Sequence, residues 1–131
     1  RRVAVAWFTA ARGEARVNLA FSTDAGATFS TPIRIDDGAP AGWPDVVLLD
    51  DGRAFVSWLE KTATGVGEVR VRAVGTDSRG EATTVATSSS GRATGIPHMV
   101  RAGREVVVAW RQGTVKTARV ALPPPLASRR R

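Results

Sequence analysis

A short strand-like segment that ends in tryptophan occurs three times along this chain at almost equal intervals. The copies are residues 3–7, 54–58 and 106–110, and their tryptophans are 51 and then 52 residues apart. Self-similarity with a period near 50 residues is typical of β-sheets that repeat around an axis, as the blades of a β-propeller do. The spacing therefore predicts an all-β fold. The chain of 131 residues holds about two and a half such repeats, whereas a closed propeller needs roughly four to eight.

Within each repeat, apolar residues alternate with polar or small ones, as in a strand that buries one face. Val5 and Trp7 share one face of the first segment. Turns rich in Gly and Asp, such as Asp50-Asp51-Gly52, separate the segments, and no amphipathic helix is predicted. A further correspondence pairs residues 42–46 with residues 95–99, each with proline at its third position, where a strand can begin. The three tryptophans repeat in register and are predicted to be core residues.

Residues 22–29 match the pattern Ser-x-Asp-x-Gly-x-Thr-aromatic. The side chains of Ser22 and Asp24 can bond to nearby backbone amides and Gly26 can supply a positive φ, so the motif predicts a turn in which Asp24 is a turn former. We expect the ring of Phe29 to anchor this turn in the core. With this motif the chain resembles the Asp-box (BNR-repeat) β-propellers, the superfamily that includes the sialidases. A second copy at residues 75–80 has lost the aromatic residue.

The resemblance implies an order for the strands, because in that family the box joins the third strand of a blade to the outermost fourth. Counted A to D outward from the central channel, the order is BCD-ABCD-ABC. The predicted strands are 3–8, 15–22 and 31–36, then 43–49, 53–60, 67–75 and 82–87, and finally 96–101, 105–111 and 114–122. The chain then divides into an incomplete blade (1–36), a complete blade (37–87), an incomplete last blade (88–122) and a Pro/Arg-rich tail (123–131). We interpret it as the C-terminal part of a longer propeller, since two copies joined end to end would place ABC beside BCD, out of register.

The resemblance also implies what a catalytic member would require. It would have a Tyr nucleophile beside a Glu, three arginines that grip a carboxylate, an Asp acid/base and an Arg-Ile-Pro segment. This chain has no tyrosine, and neither Arg34-Ile35-Asp36 nor Gly95-Ile96-Pro97 is that segment, so no catalytic residue is predicted. The leading hypothesis is a non-catalytic portion of a sialidase-like propeller that binds a glycan or a protein. The alternatives are a fragment of a sialidase-type exo-glycosidase whose catalytic residues lie outside this chain, and purely structural repeats without a pocket.

The predicted binding face is the end of the propeller where the D–A and B–C loops meet. The residues expected near the channel are Trp43, Asp45, Arg92 and His98, with Arg12, Glu14, Glu60 and Arg111 farther out. An exposed tryptophan beside mixed charges suits sugar stacking and recognition of an acidic group. Simpler interpretations are also open: Trp43 as packing between blades, the charges as a solvated rim, and His98 as an ordinary polar residue.

The net charge of +7 is concentrated at the chain ends, where Arg1, Arg2 and residues 129–131 carry five of the seven charges. The other arginines alternate with acidic residues and form no basic cluster of the kind that binds phosphates, so no nucleic-acid partner is predicted. The chain has no cysteine, which excludes a disulfide scaffold.

No stretch of the sequence approaches the length of a membrane span, and no signal peptide opens the chain. A single histidine gives no cluster for a metal, and no cofactor or metal is predicted. An extracellular or periplasmic location in a bacterium is what the resemblance implies.

Overall fold

The structure is a computed structural model that describes residues 1–89 and 96–125. These residues form ten β-strands in three antiparallel sheets, together with one 3-10 turn at Ala11–Gly13. The first sheet contains β1 (Val3–Thr9), β2 (Arg16–Ser22) and β3 (Ile33–Arg34). The second contains β4 (Pro40–Leu48), β5 (Ala54–Lys61), β6 (Val66–Val74) and β7 (Thr83–Ser89). The third contains β8 (His98–Ala102), β9 (Glu105–Gln112) and β10 (Thr114–Ala121).

In every sheet the strands lie in chain order, each beside its neighbour in sequence. The prediction of an all-β fold is confirmed, and the strands lie close to the predicted ranges. Two strands differ. β3 has only two residues where the sequence predicts 31–36, although the Ile35 amide still donates to the Val17 carbonyl at 2.8 Å. β4 begins at Pro40 instead of at residue 43, because its pairing with β5 continues across a bulge.

The three tryptophan-bearing strands occupy equivalent places in their sheets. Each of β1, β5 and β9 pairs with the strand that follows it, β2, β6 and β10. In these pairs Trp7 lies opposite Asn18, Trp58 opposite Arg70 and Trp110 opposite Lys116. The repeat that is visible in the sequence is therefore also a repeat in strand register.

Two hydrophobic clusters hold the sheets together. The cluster between the first and second sheets contains Val17, Leu19, Phe21, Ile35, Ala54, Val56, Trp58 and Val74. The cluster between the second and third sheets contains Leu49, Phe55, Leu59, Val69, Val71, Met99, Val106, Val108 and Trp110. Because side chains alternate between the two faces of a strand, β5 supplies both clusters and is buried on both sides.

The tryptophans lie on equivalent faces of their sheets: Trp7 and Trp58 face away from the sheet that follows in the chain, and Trp110 faces the sheet that precedes its own. Trp58 packs toward the first sheet and Trp110 toward the second, and both are core residues as predicted. Ala6 packs toward the second sheet, so its neighbour Trp7 points to the other side of the first sheet. Trp7 is only partly buried, and the ring of Phe29 is 47% exposed. The predictions that these two rings lie in the core are therefore wrong for the part of the chain that the structure describes.

Candidate functional site

Three of the predicted binding residues lie on the first strands of the second and third sheets. Trp43 and Asp45 belong to β4, and His98 opens β8. The two strands contact each other, so the structure brings Asp45 and His98 together although 52 residues separate them in the sequence. We call Trp43, Asp45 and His98 the Trp43 site.

Trp43 lies in an irregular stretch of β4. The pairing of β4 with β5 shifts register between Gly42 and Asp45, and Gly42 and Trp43 have positive φ values of 114° and 57°. Glycine adopts such a φ readily, whereas a bulky residue there costs about 1–3 kcal/mol. The ring of Phe8 packs against Gly42, and Trp43 is 36% exposed. Strained backbone that presents an exposed aromatic ring is a feature from which a ligand site is inferred.

Asp45 links the two strands through its carboxylate. Its Oδ1 accepts a hydrogen bond from the Val46 amide at 2.8 Å, and its Oδ2 accepts one from the Met99 amide at 2.7 Å. The same Oδ2 lies 3.9 Å from Nδ1 of His98, whose side chain is 72% exposed. Asp45 thus holds the backbone next to His98, while the imidazole is open to solvent.

Glu60 is neither an exposed residue of the binding face, as predicted, nor part of a solvated rim, the simpler interpretation. Its side chain is buried, with 2% of the residue exposed. Its carboxylate accepts hydrogen bonds from the Asp37 and Ala39 amides at 2.7 and 2.8 Å, and from the Trp58 indole N–H at 3.1 Å. Glu60 therefore organises the loop between β3 and β4 and is a structural residue.

The outer residues of the predicted face do not join the Trp43 site. Arg12, Glu14 and Arg111 are exposed, and the ion pair made by Glu14 is with Arg16 on the same hairpin. Arg12 has a φ of 59° within the 3-10 turn. Arg92, the remaining predicted residue, lies outside the described residues.

Residues 22–29 form the turn that the motif predicts. The Ser22 hydroxyl donates to Oδ1 of Asp24 at 2.7 Å and accepts from the Gly26 amide at 2.9 Å. The Thr28 hydroxyl donates to Oδ2 of Asp24 at 2.6 Å and its amide to Oδ1 at 2.9 Å. These bonds, those from Thr28 first, lower the pKa of Asp24 to about 2. Both oxygens of the carboxylate accept hydrogen bonds within the turn, in keeping with the predicted role of Asp24 as a turn former.

The second copy of the motif folds differently. Residues 75–80 form a short hairpin in which the Gly75 amide donates to the Ser78 carbonyl and the Gly80 amide to the Ala73 carbonyl, both at 2.8 Å. A methyl group on Gly80 would lie 2.9 Å from that same Ala73 oxygen. Backbone hydrogen bonds hold this turn, whereas side-chain hydrogen bonds hold the turn of the first copy.

A pocket of about 340 Å³ lies at the opposite end of the sheets from the Trp43 site. It is lined by the β4–β5 turn, the β8–β9 turn and the segment after β10, including Leu122, Pro123, Pro124 and Pro125. Its arginines are mostly neutralised: Arg53 pairs with Asp51 at 2.8 Å and Arg101 with Asp50 at 2.8 Å. Sequence reasoning missed this pocket, because in the sequence the turn residues and prolines that line it indicate only where strands end.

A second feature missed from the sequence is a polar network between the first and second sheets. Asp37 pairs with Arg70 at 2.7 Å and with Arg72 at 2.9 Å. Burial would raise the pKa of Asp37, but hydrogen bonds from these arginines outweigh it and lower the pKa. The Arg72 guanidinium also lies 5.5 Å from the ring centre of Trp58, within the range of a cation–π interaction. The sequence signal for this network was the spacing of Arg70 and Arg72, two residues apart on β6.

The described residues contain no group of three or more His, Cys, Asp or Glu side chains that could hold a metal ion. In the same part of the chain, no helix has the length and apolarity needed to cross a membrane. Comparison of the chain with protein-family models, curated proteins and solved structures found no match. The fold and the site therefore define a class of protein: an all-β protein of three packed antiparallel sheets.

Proposed function

We propose that this chain is part of an Asp-box β-propeller and acts as a non-catalytic scaffold that binds a glycan. Three kinds of observation support the propeller. The sheets pack face to face in chain order, their tryptophan strands share one register, and the bonds of Asp24 pin the turn between β2 and β3. Blades of a propeller repeat a small antiparallel sheet in this way.

One observation carries the glycan proposal. Trp43, which has a positive φ and is partly exposed, lies two residues from Asp45, whose carboxylate is 3.9 Å from the exposed His98. A flat apolar ring and a solvent-exposed imidazole on neighbouring strands suit a sugar, which has apolar faces and hydroxyl edges. In this proposal Trp43 stacks on the ligand, His98 bonds to it, and Asp45 positions β8.

Binding of the full chain to a panel of sialylated and neutral oligosaccharides tests this proposal. We expect Trp43→Ala to abolish binding, whereas Trp43→Phe retains an aromatic face and most of the affinity. Val66→Ala removes part of another exposed apolar side chain and serves as the matched control, with binding unchanged. Thermal melts establish that each variant is folded. Equal affinity of Trp43→Ala and the wild type would refute the site.

The alternatives make different predictions. If the chain is a portion of a sialidase-type exo-glycosidase, a longer protein that contains it has a Tyr–Glu pair and an arginine triad in its other residues. If the sheets are interaction repeats, the Trp43 variants lose a protein partner and no oligosaccharide binds. The glycan proposal fits an extracellular or periplasmic bacterial protein, the location implied by the resemblance.

A further inference from the structure

The pocket of about 340 Å³ at the end of the sheets opposite the Trp43 site has an extensive apolar lining. Leu49 belongs to the hydrophobic cluster between the second and third sheets, and Leu122 packs against the same cluster. The prolines at 123–125 continue this lining, and since proline has no backbone N–H, they add no amide donors to it. We call this cavity the proline pocket. Its volume lies in the range of small-molecule sites.

Hydrogen bonds within the chain hold the walls of the proline pocket together. Arg53 is buried, with 8% of the residue exposed, and its Nη2 donates to the Pro124 carbonyl at 2.8 Å. The Leu122 amide donates to the Arg104 carbonyl at 2.9 Å. The segment after β10 is therefore fixed both to the β4–β5 turn and to the β8–β9 turn. A preformed cavity of this kind spends little free energy on ordering itself around a ligand.

The charged residues of the lining differ in how firmly they are engaged. They comprise three arginines and two aspartates, so the lining has one more positive charge than negative. Arg53 is held by Asp51, to which its Nε donates at 2.8 Å. Arg101 donates to both carboxylate oxygens of Asp50 at 3.0 and 2.8 Å, but the Asp50 side chain is 89% exposed, and ion pairs of such exposure contribute little.

Arg104 is the arginine of the pocket that remains available. It is exposed, and no ion pair or hydrogen bond between described residues involves its side chain. Together with Arg101 it flanks the β8–β9 turn at Ala102-Gly103. An anion at this turn can therefore bind Arg104 directly and can replace the exposed Asp50 on Arg101.

We propose that the proline pocket binds an organic monocarboxylate that carries an apolar body. The carboxylate pairs with Arg104 and Arg101, since guanidinium groups form strong charge-assisted hydrogen bonds to carboxylates, and the apolar body packs on Leu49, Leu122 and the prolines. One excess positive charge suits a monoanion, whereas a polyphosphate would also meet Asp50 and Asp51. A free aryl or alkyl acid and the carboxyl terminus of a peptide both supply this chemistry. The proposal goes beyond glycan binding and uses no residue of the Trp43 site.

Titration of the full chain, followed through its backbone amide resonances by NMR, tests the proposal. The probes are phenylacetate, octanoate and N-acetyl-glycyl-leucine, and phenylacetamide is the neutral match of the first. We expect saturable shifts at Leu49 and Leu122, with phenylacetamide at least about tenfold weaker than phenylacetate. Tighter binding of the peptide than of the free acids would identify a chain terminus as the source, and the reverse order a small acid. The absence of shifts at these residues with all three acids at millimolar concentration would overturn the proposal, as would equal binding of phenylacetamide and phenylacetate.

Variants at exposed positions assign the contacts. We expect Arg104→Gln to weaken binding of the acids about tenfold or more, and Asp50→Asn to strengthen it by up to about fivefold because a competitor for Arg101 is lost. Arg111→Gln is the matched control, because it removes the same charge from an exposed position at the other end of β9, and its affinity should equal that of the wild type. The amide spectrum of each variant shows whether it is folded. Equal losses in Arg104→Gln and Arg111→Gln would reduce the effect to general charge attraction and overturn the site, and weaker binding by Asp50→Asn would overturn the exchange at Arg101.

Discussion

The carboxylate of Asp45 accepts a hydrogen bond from the Met99 amide at 2.7 Å and joins β4 of the second sheet to β8 of the third. The neighbouring packing is hydrophobic, with Met99 itself in the cluster between these sheets. Apolar contacts are non-directional, whereas this bond fixes one backbone group against one side chain. We infer that Asp45 sets the position of β8 along the second sheet and, with it, the position of His98.

Replacement of Asp45 tests that role. We expect Asp45→Ala to lower the free energy of unfolding by about 1–3 kcal/mol, because the Met99 and Val46 amides both lose their acceptor. Asp45→Asn keeps one acceptor oxygen, so we expect its free energy of unfolding to lie between those of Asp45→Ala and the wild type. Urea denaturation measures both, and equal stabilities of all three proteins would contradict a positioning role.

The second prediction concerns Glu60, which lies at the junction of the first and second sheets. It is buried and accepts three N–H donors, from Asp37, Ala39 and Trp58. Hydrogen bonds to a charged group contribute about 1.5–3 kcal/mol each, but they are not additive. We therefore expect Glu60→Ala to cost about 3 kcal/mol or more in urea denaturation.

Glu14→Ala is the control for Glu60, because its side chain is 68% exposed and its single ion pair lies on the surface. Such pairs contribute about 0–1 kcal/mol. If the Glu60 variant were no less stable than the Glu14 variant, the three hydrogen bonds would not be organising the β3–β4 loop.

The strands were predictable because alternation and the tryptophan repeat are local signals. The burial and the hydrogen bonds of residues at equivalent positions in the repeats were not predictable, since they depend on which neighbouring sheet packs against those residues. Trp58 and Trp110 are both buried, yet Trp58 bonds to Glu60 while the Trp110 indole nitrogen has no partner among the described residues. Gln112 stands where Glu60 stands in its own repeat and is exposed. The sequence shows the repetition but not the neighbour that decides burial.

The candidate site was partly predictable. Trp43, Asp45 and His98 were named because the strand order implied by the resemblance places the D–A and B–C loops at one end of the sheets. The burial of Glu60 and the pairing of Arg72 with Asp37 involve residues from two sheets, and strand periodicity carries no information about contacts between sheets.

The turn of Asp24 gives a prediction about pH. Hydrogen bonds from Thr28 and Ser22 lower its pKa from 3.8 to about 2 in the folded protein. The unfolded chain therefore binds more protons between these values, so the stabilisation is present above pH 3.8 and is lost as the pH falls through about 2. A carboxyl titration by NMR should place the midpoint near 2.

Thr28→Val isolates the side-chain part of this effect. It removes the hydroxyl that donates to Oδ2 of Asp24 and leaves the amide that donates to Oδ1. We expect the pKa of Asp24 to rise toward its ordinary value in this variant. An unchanged titration would mean that the backbone amides of the turn, and not the Thr28 hydroxyl, hold the carboxylate ionised.

Arg72 provides the last prediction, because it combines three interactions at one buried position. Its guanidinium donates to the Ile35 carbonyl and to Asp37, and it lies over Trp58 at 5.5 Å. Lysine keeps the charge but has neither the planar fork nor the stacking surface. We therefore expect Arg72→Lys to lower the free energy of unfolding by about 1–3 kcal/mol, with Arg72→Leu at least as destabilising because the Ile35 carbonyl then loses this donor. Arg16→Lys is the control: its side chain is 45% exposed and its ion pair with Glu14 lies on the surface, so a change below about 1 kcal/mol is expected. A loss for Arg72→Lys no larger than that of the control would show that the charge, which lysine keeps, and not the geometry of the Arg72 guanidinium, stabilises the junction between the first two sheets.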